Sequence, residues 1–268
     1  MANLTPLRYP GAKNKMLPTI MKHMNVLLQD ADSFCEPFVG GGSVVLEVAT
    51  QHPNLQLFIN DKDYWMSCFW QVVISDDVNA LIEKLSAKPT IDLFYELRTD
   101  KNNDKIHCAY KALFFNRTAF SGILKSGPIG GKEQKGKYKV DCRYNAKVLK
   151  DKVLKINKLL SGRTIVDNED FDEYLKDKDC PLYLDPPYYQ KGDGLYFETM
   201  NHQDHERLRN TLLTKNKWLL SYDKHLAIQE LYQSQKNVEM MDMAVDYCID
   251  GAKKAWKNNN EYLILKNA

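Results

Sequence analysis

SFCEPFVGGGSVVLEVATQ (33–51) reads as a strand, a turn and a helix in immediate succession. SFCEPF (33–38) is a short apolar run. VGGGS (39–43) lets the backbone turn where a Cβ would clash, and VVLEVATQ continues with helical character. Outward from this unit the same alternation recurs. LQLFIN (55–60) is a second strand, closed by Asp61. RTIVDN (163–168), PLYLD (181–185), KWLLSYD (217–223), NVEMMDM (237–243) and EYLILK (261–266) supply five more. Helical stretches such as NHQDHERLRNTLLTK (201–215) and KHLAIQELYQSQ (224–235) lie between most of them. About seven strands alternating with helices predict an α/β fold around a mostly parallel sheet.

The alternation breaks between about 64 and 152. Helix-like DVNALIEKLSA and KIHCAYKALFFN are followed by SGILKSGPIGGKEQKGKYKV (121–140), whose glycines and lysines read as a hairpin or mobile loop. This predicts a mainly helical domain over 64–152, inserted between the second and third strands of a domain made of 1–63 and 153–268. Charge follows the same division. Between Lys101 and Leu160 stand fifteen Lys or Arg against four Asp or Glu, while the rest of the chain is acidic. A segregated basic block is the footprint of contact with a polyanion, although a solvated lysine-rich face has the same composition.

At 268 residues and 44% hydrophobic content, the chain can bury a sizeable core. No apolar run reaches the length of a membrane span, and MANLTPLRYPGAKNKM lacks a signal-peptide stretch. The six cysteines are scattered without CxxC spacing, which predicts a reducing cytoplasm and neither disulfide scaffold nor zinc site. His202 and His205 occur without an HExxH pattern, so no metal is expected.

A glycine turn between strand and helix suits a nucleotide. Asp61, nineteen residues after Gly42, ends the next strand where a carboxylate can accept hydrogen bonds from ribose hydroxyls. The third glycine of GxGxxG is missing, since Val45 stands there. That favours a nucleoside cofactor without pyrophosphate, such as S-adenosyl-L-methionine, over a dinucleotide. A tight turn in any α/β protein remains the plainer reading.

LYLDPPYYQ (182–190) ends a buried strand on Asp185, freezes the next two residues and then presents Tyr188. An exocyclic amino group is a poor nucleophile because its lone pair is delocalised into the base. Asp185 and the carbonyl of Pro186 could each accept one amino hydrogen and turn that lone pair toward an electrophile, with Pro187 holding the carbonyl rigid. Tyr188 could stack on the base for about 1–3 kcal/mol. The competing reading is a strand-end turn with Asp185 as a helix cap. Cytosine C5 chemistry is disfavoured because Cys180 precedes Pro181 at the other end of the strand.

Together these motifs resemble the Dam-like α-group, or D12-class, DNA adenine-N6 methyltransferases, in the family's order over nearly the whole chain. The resemblance implies a Rossmann-like sheet, S-adenosyl-L-methionine as cofactor, and a target-recognition insert carrying a basic hairpin. LRYPGAKNKM (7–16) is similar to the opening segment, making Tyr9 and Lys13 cofactor contacts. EPFVGGGS (36–43) carries over Glu36, Phe38, Gly40, Gly42 and Ser43; Asp61, Asp170, Phe171 and Asp185 complete the cofactor set, and Asp185, Pro186, Pro187 and Tyr188 form the catalytic tetrapeptide. FFNRTAFSGI (114–123) is similar to the family's asparagine–arginine segment. That makes Asn116 and Arg117, with Arg8, Lys125, Lys137, Lys139 and Arg143, candidate contacts to duplex DNA. The implied reaction is flipping of a target adenine and direct in-line attack by N6, with YYQKGDGLYF (188–197) as a lid. A cognate restriction endonuclease is an expected partner, and a monomer or weak dimer the expected state. Tyr9, Gly11 and Ala12 stand where the family often has tryptophan and two glycines, and the lysine-rich hairpin leaves the recognition sequence open. Cytosine N4, RNA or a protein glutamine are alternative substrates, and a non-catalytic DNA-binding module is the alternative class.

Overall fold

The computed structural model describes residues 4–8, 13–189, 200–244 and 260–267. The sheet begins with β1 (Ser33–Glu36), β2 (Gln56–Asn60), β3 (Thr164–Asp167), β4 (Leu182–Leu184) and β5 (Lys217–Asp223), all mutually parallel where they pair. β6 (Val238–Ala244) and β7 (Asn260–Asn267) complete it, with β7 antiparallel to both β5 and β6. The order across the seven strands is β3-β2-β1-β4-β5-β7-β6. β4 is buried along its whole length and β5 at every position but the first, which is why both read as continuous apolar runs.

Strand order reverses between β1 and β4. In an open parallel sheet the crevice beyond the carboxyl ends of two such strands is where ligands bind. Here those ends carry the glycine turn after β1 and the Asp-Pro-Pro-Tyr segment after β4. Antiparallel β7 runs the other way, so its first residues, not its last, lie at this same edge. Glu261 faces Asp223, the last residue of β5, in the ladder.

Flanking the sheet are α1 (Leu17–Leu27) and α2 (Ser43–Gln51). Between β2 and β3 the chain builds α3 (Tyr64–Val73), α4 (Val78–Lys84), α5 (Ile91–Thr99), α6 (Lys105–Thr118) and α7 (Ala146–Leu160). Sequence-encoded caps start four of these: Asp63 accepts from the Trp65 and Met66 amides, Thr90 from Leu93, Asp104 from His107 and Asn145 from Val148. Phe69, Phe94 and Phe114 of these helices share one continuous apolar cluster with Leu57, Tyr183 and Leu219 of the sheet. The insert is thus welded to the sheet by common packing. α8 (Phe171–Leu175), α9 (His202–Leu213) and α10 (Leu226–Tyr232) pack on the second cluster, around Leu184, Trp218 and Tyr222. No helix among the described residues is long and apolar enough to cross a membrane.

The expected basic hairpin is corrected. Residues 119–145 form successive turns with one isolated bridge, Ala119 to Pro128, and no strand ladder. Gly130 (φ 84°), Gly131 (φ 71°) and Gln134 (φ 50°) adopt left-handed conformations that break the alternation a strand needs. Gln134 stitches the loop instead, donating to the Ile129 carbonyl at 2.8 Å and accepting from the Val140 amide at 2.8 Å.

Candidate active site

The end of β1 is organised around buried Glu36. Its Oε2 accepts from the Val45 amide at 2.8 Å, tying the strand to the first turn of α2. Burial pushes the Glu36 carboxyl well above its ordinary range; the Val45 bond opposes this, and nearby Asp185 and Asp61 reinforce it. The Gly40 amide donates to Asp61 Oδ2 at 2.9 Å, so the carboxylate ending β2 grips the turn ending β1. Asp61 Oδ1 accepts from Asp63 at 3.0 Å. From α3, the Trp70 indole donates to the Gly40 carbonyl at 3.0 Å.

The second glycine has a steric reason as well. Gly42 sits at φ 66°, and a Cβ there would lie 2.3 Å from Trp70 Cζ2. Gly42→Ala is expected to cost about 1–3 kcal/mol of folding stability through strain and overpacking. Denaturant unfolding measures it, and a midpoint equal to the parent's would contradict the packing account. Ser43 opens α2, and the Phe38 ring lies 5.7 Å from that of Phe171 at the start of α8.

Across the crevice, Asp185 follows β4 and meets Lys13, whose side chain is 2% exposed. Lys13 Nζ lies 2.8 Å from Asp185 Oδ1 and 3.3 Å from Glu261 Oε2. It also donates to the Tyr188 hydroxyl and stands 4.7 Å from that ring's centroid. Burial alone would lower the lysine, but Asp185 and then Glu261 outweigh it and hold the ammonium above its usual value. Asp185 moves upward, to about 6: burial is the main cause, Lys13 opposes it and Glu261 adds to it. Oδ1 is buried, so the 24% of the side chain that stays open lies elsewhere on it.

The segment beyond Tyr188 is anchored too. The Tyr189 amide donates to Asp223 at 3.0 Å, and its ring stacks on His225 at 4.4 Å. Residues 190–199 lie outside the described residues, and with them most of the expected lid; so does Tyr9.

Pattern and geometry now coincide: a glycine turn held by Asp61 faces Asp-Pro-Pro-Tyr at the switch point of the sheet. The sequence model of the D12 class N6 adenine-specific DNA methyltransferases matches residues 9–245. The chain belongs to this family. It is an adenine-N6 DNA methyltransferase, with S-adenosyl-L-methionine as methyl donor. The methyltransferase is 29% identical over 205 residues to the type II methyltransferase M.MjaIII of Methanocaldococcus jannaschii, covering 68% of each chain. It is 24% identical to the type II methyltransferase M.CviBI of Paramecium bursaria Chlorella virus NC1A, covering 89% of this chain and 90% of that one. Its identity to the type II methyltransferase M1.LlaDCHI of Lactococcus lactis subsp. cremoris is 26%, over 78% and 76% of the two.

Two cofactor candidates of the methyltransferase also have charged partners within the chain. Asp170 caps α8 and binds Arg207 at 3.0 and 3.3 Å and Lys62 at 3.2 Å. The Phe171 ring is what that corner contributes, backed by the Arg207 guanidinium 4.5 Å away. Lys13 faces the tetrapeptide itself. Glu261 was missed, although an acid heading the apolar run EYLILK is the available signal.

On the insert, Asn116 clamps two segments of the chain together. It is fully buried, accepts from the Arg8 amide at 2.6 Å, and donates to the Arg8 and Gly122 carbonyls at 3.1 and 3.2 Å. The clamp holds Arg8 beside Arg117 and Arg143. Burial, then the charges of Arg8 and Arg143, push Arg117 down to about 10. Arg8 Nη1 and Arg117 Nε are buried without a hydrogen-bond partner among the described residues. Lys125, Lys137, Lys139 and Arg143 are exposed, as is Phe120, an aromatic that the sequence reading passed over.

Proposed function

We propose that the methyltransferase modifies adenine N6 in duplex DNA by flipping the base into the crevice between β1 and β4, for direct transfer without a covalent enzyme intermediate. The observation that carries this reading is the buried Lys13–Asp185–Glu261 cluster at the end of β4, opposite the Asp61-held glycine turn. Asp185 and Glu261 are two carboxylates around one buried ammonium, and Asp61 adds a third acid at the glycine turn, an acidic surplus that fits a cationic donor. S-adenosyl-L-methionine, when bound, supplies an electrophilic methyl group on a sulfonium. Gly40, Gly42, Ser43 and Asp61 would hold its nucleoside and amino-acid ends, with Phe38 and Phe171 against the adenine.

Asp185 accepts one hydrogen of the target amino group and the Pro186 carbonyl the other. As the nitrogen gains positive charge, the fixed carboxylate stabilises it, and the surplus amino proton then leaves to water. Tyr188 supports the flipped base.

The insert, residues 64–152, serves as the target-recognition unit. Arg117 and Arg143, with Arg8 held against the insert by Asn116, form an anionic-ligand site, and Lys125, Lys137 and Lys139 meet neighbouring phosphates. Arg117→Ala and Arg143→Ala are each expected to lower the slope of log K against log salt by about one, measured by fluorescence anisotropy on duplex DNA. An unchanged slope in both would remove the arginines from the phosphate contacts. The type II methyltransferase names of the relatives fit site-specific modification, and with it go a companion endonuclease and a monomer or weak dimer as further parts of the proposal.

The test is to incubate the protein with S-adenosyl-L-methionine and unmethylated duplex DNA, digest to nucleosides and identify the product by mass spectrometry. N6-methyladenine supports the reading; N4-methylcytosine corrects the base. No methylated nucleoside from any duplex, with cofactor binding demonstrated, overturns it.

A further inference from the structure

We propose that Glu261 is a positioning residue of the methyl-transfer site: it holds the Lys13 ammonium off Asp185, so that the carboxylate keeps an oxygen for the amino group being methylated. The inference rests on the role given to Asp185 above. It starts from topology. Every parallel strand delivers its last residues to the catalytic edge, whereas antiparallel β7 delivers its first. Glu261 is therefore brought, 4% exposed, to the crevice from the far end of the chain.

One buried ammonium facing one carboxylate would settle across both of its oxygens. It would then neutralise the charge that the amino group needs. The observed lysine is shared instead, 2.8 Å from Asp185 Oδ1 and 3.3 Å from Glu261 Oε2, with the Tyr188 hydroxyl as a third partner. The pull of Glu261 keeps Lys13 on the buried Oδ1. Two carboxylates against one ammonium also leave one net negative charge under the reacting nitrogen, which becomes cationic as the methyl group arrives. Water alone could satisfy a buried lysine's third hydrogen, so a second buried acid demands a purpose beyond solvating it.

Among the described residues, the groups facing Asp185 can be assigned. Lys13 comes from the turn before α1, Glu261 from β7, Glu36 from β1, Tyr183 from β4 itself and Tyr222 from β5. Of these Glu261 is the acid that contributes to raising Asp185, and its replacement by glutamine removes that repulsion and hands Lys13 to Asp185 alone. Both effects lower the Asp185 titration midpoint.

The experiment is a carbon-13 NMR titration of the aspartate carboxyl groups in the full-length protein, without cofactor or DNA. Asp185 is assigned by the resonance lost in Asp185→Asn. In the parent the midpoint is expected at about 6. In Glu261→Gln it is expected to fall by about one pH unit. Steady-state kinetics should show kcat down about tenfold at an unchanged KM for DNA, with Glu261→Asp recovering most of the rate. A midpoint that stays, or a kcat that stays, overturns the proposal. If Glu261→Gln does not fold, Glu261→Ala decides it by the same titration, since loss of the carboxylate must also move the midpoint downward. The two readings fail separately. Methylation by Asp185→Ala would sink the role of Asp185, whereas an unmoved midpoint beside an inactive Asp185→Ala sinks Glu261 alone.

Discussion

Asp185→Ala is expected to fold, to bind duplex DNA as the parent does, and to form N6-methyladenine at least about 10³-fold more slowly. The size follows from where the carboxylate acts. On the proposed mechanism its interaction with the amino group strengthens as charge develops on nitrogen, so the loss falls on kcat and leaves DNA binding, which we assign to the insert, largely intact. Asp185→Asn separates charge from shape. An amide still accepts one hydrogen bond but cannot balance a cation, and its rate should stay within about tenfold of the alanine variant. Single-turnover rates with radiolabelled donor decide the matter. An asparagine variant near the parental rate would mean that hydrogen bonding alone suffices and that the charge of the cluster is incidental.

Lys13→Met carries the largest expected effect on stability. Methionine fills the volume but leaves Asp185 and Glu261 facing each other across a buried space. Breaking such a pair by removing one partner costs about 3–5 kcal/mol. The cost should depend on pH in a definite direction. Without Lys13 the positive charge that lowers Asp185 is gone, so its folded value rises further above the unfolded one. A group with a raised folded pKa stabilises the fold at low pH and loses that contribution as pH rises through the folded value. The deficit of Lys13→Met should therefore be greatest near ~pH 8 and shrink toward ~pH 5, as urea midpoints at the two values would show. A deficit independent of pH would mean that the lysine matters for its packing and not for its charge.

Much of this architecture could be read from the residues, for reasons that differ by element. The strands were legible because parallel strands buried on both faces must be apolar throughout, as LYL of β4 is. The two arms of the site followed from two local signals, a glycine turn and a rigid proline pair, each of which says what its own backbone does. Contacts across the chain were not legible in this way. Nothing near Asn116 announces that its amide holds Arg8, 108 residues earlier, and a polar residue beside an arginine reads as a surface pair. Asp170 reads as a ligand acid until Arg207 is seen to claim it. The hairpin failed because glycine content marks a turn without saying whether strands flank it. Glu261 escaped because a strand's direction in the sheet, which decides whether its first or last residue meets the crevice, is a property of topology and not of its seven neighbours.

The union of Lys13 and Glu261 also sets an order of events during biosynthesis. A nascent chain carries Lys13 from the start, but the acid that shares it arrives only with the last strand of the sheet. Until β7 leaves the ribosome and threads between β5 and β6, the ammonium has at most one of its two carboxylates, and the Trp218 and Tyr222 edge of β5 lacks its ladder partner. The catalytic floor is thus assembled by the final insertion of the sheet, and a chain cut short before that strand cannot complete it.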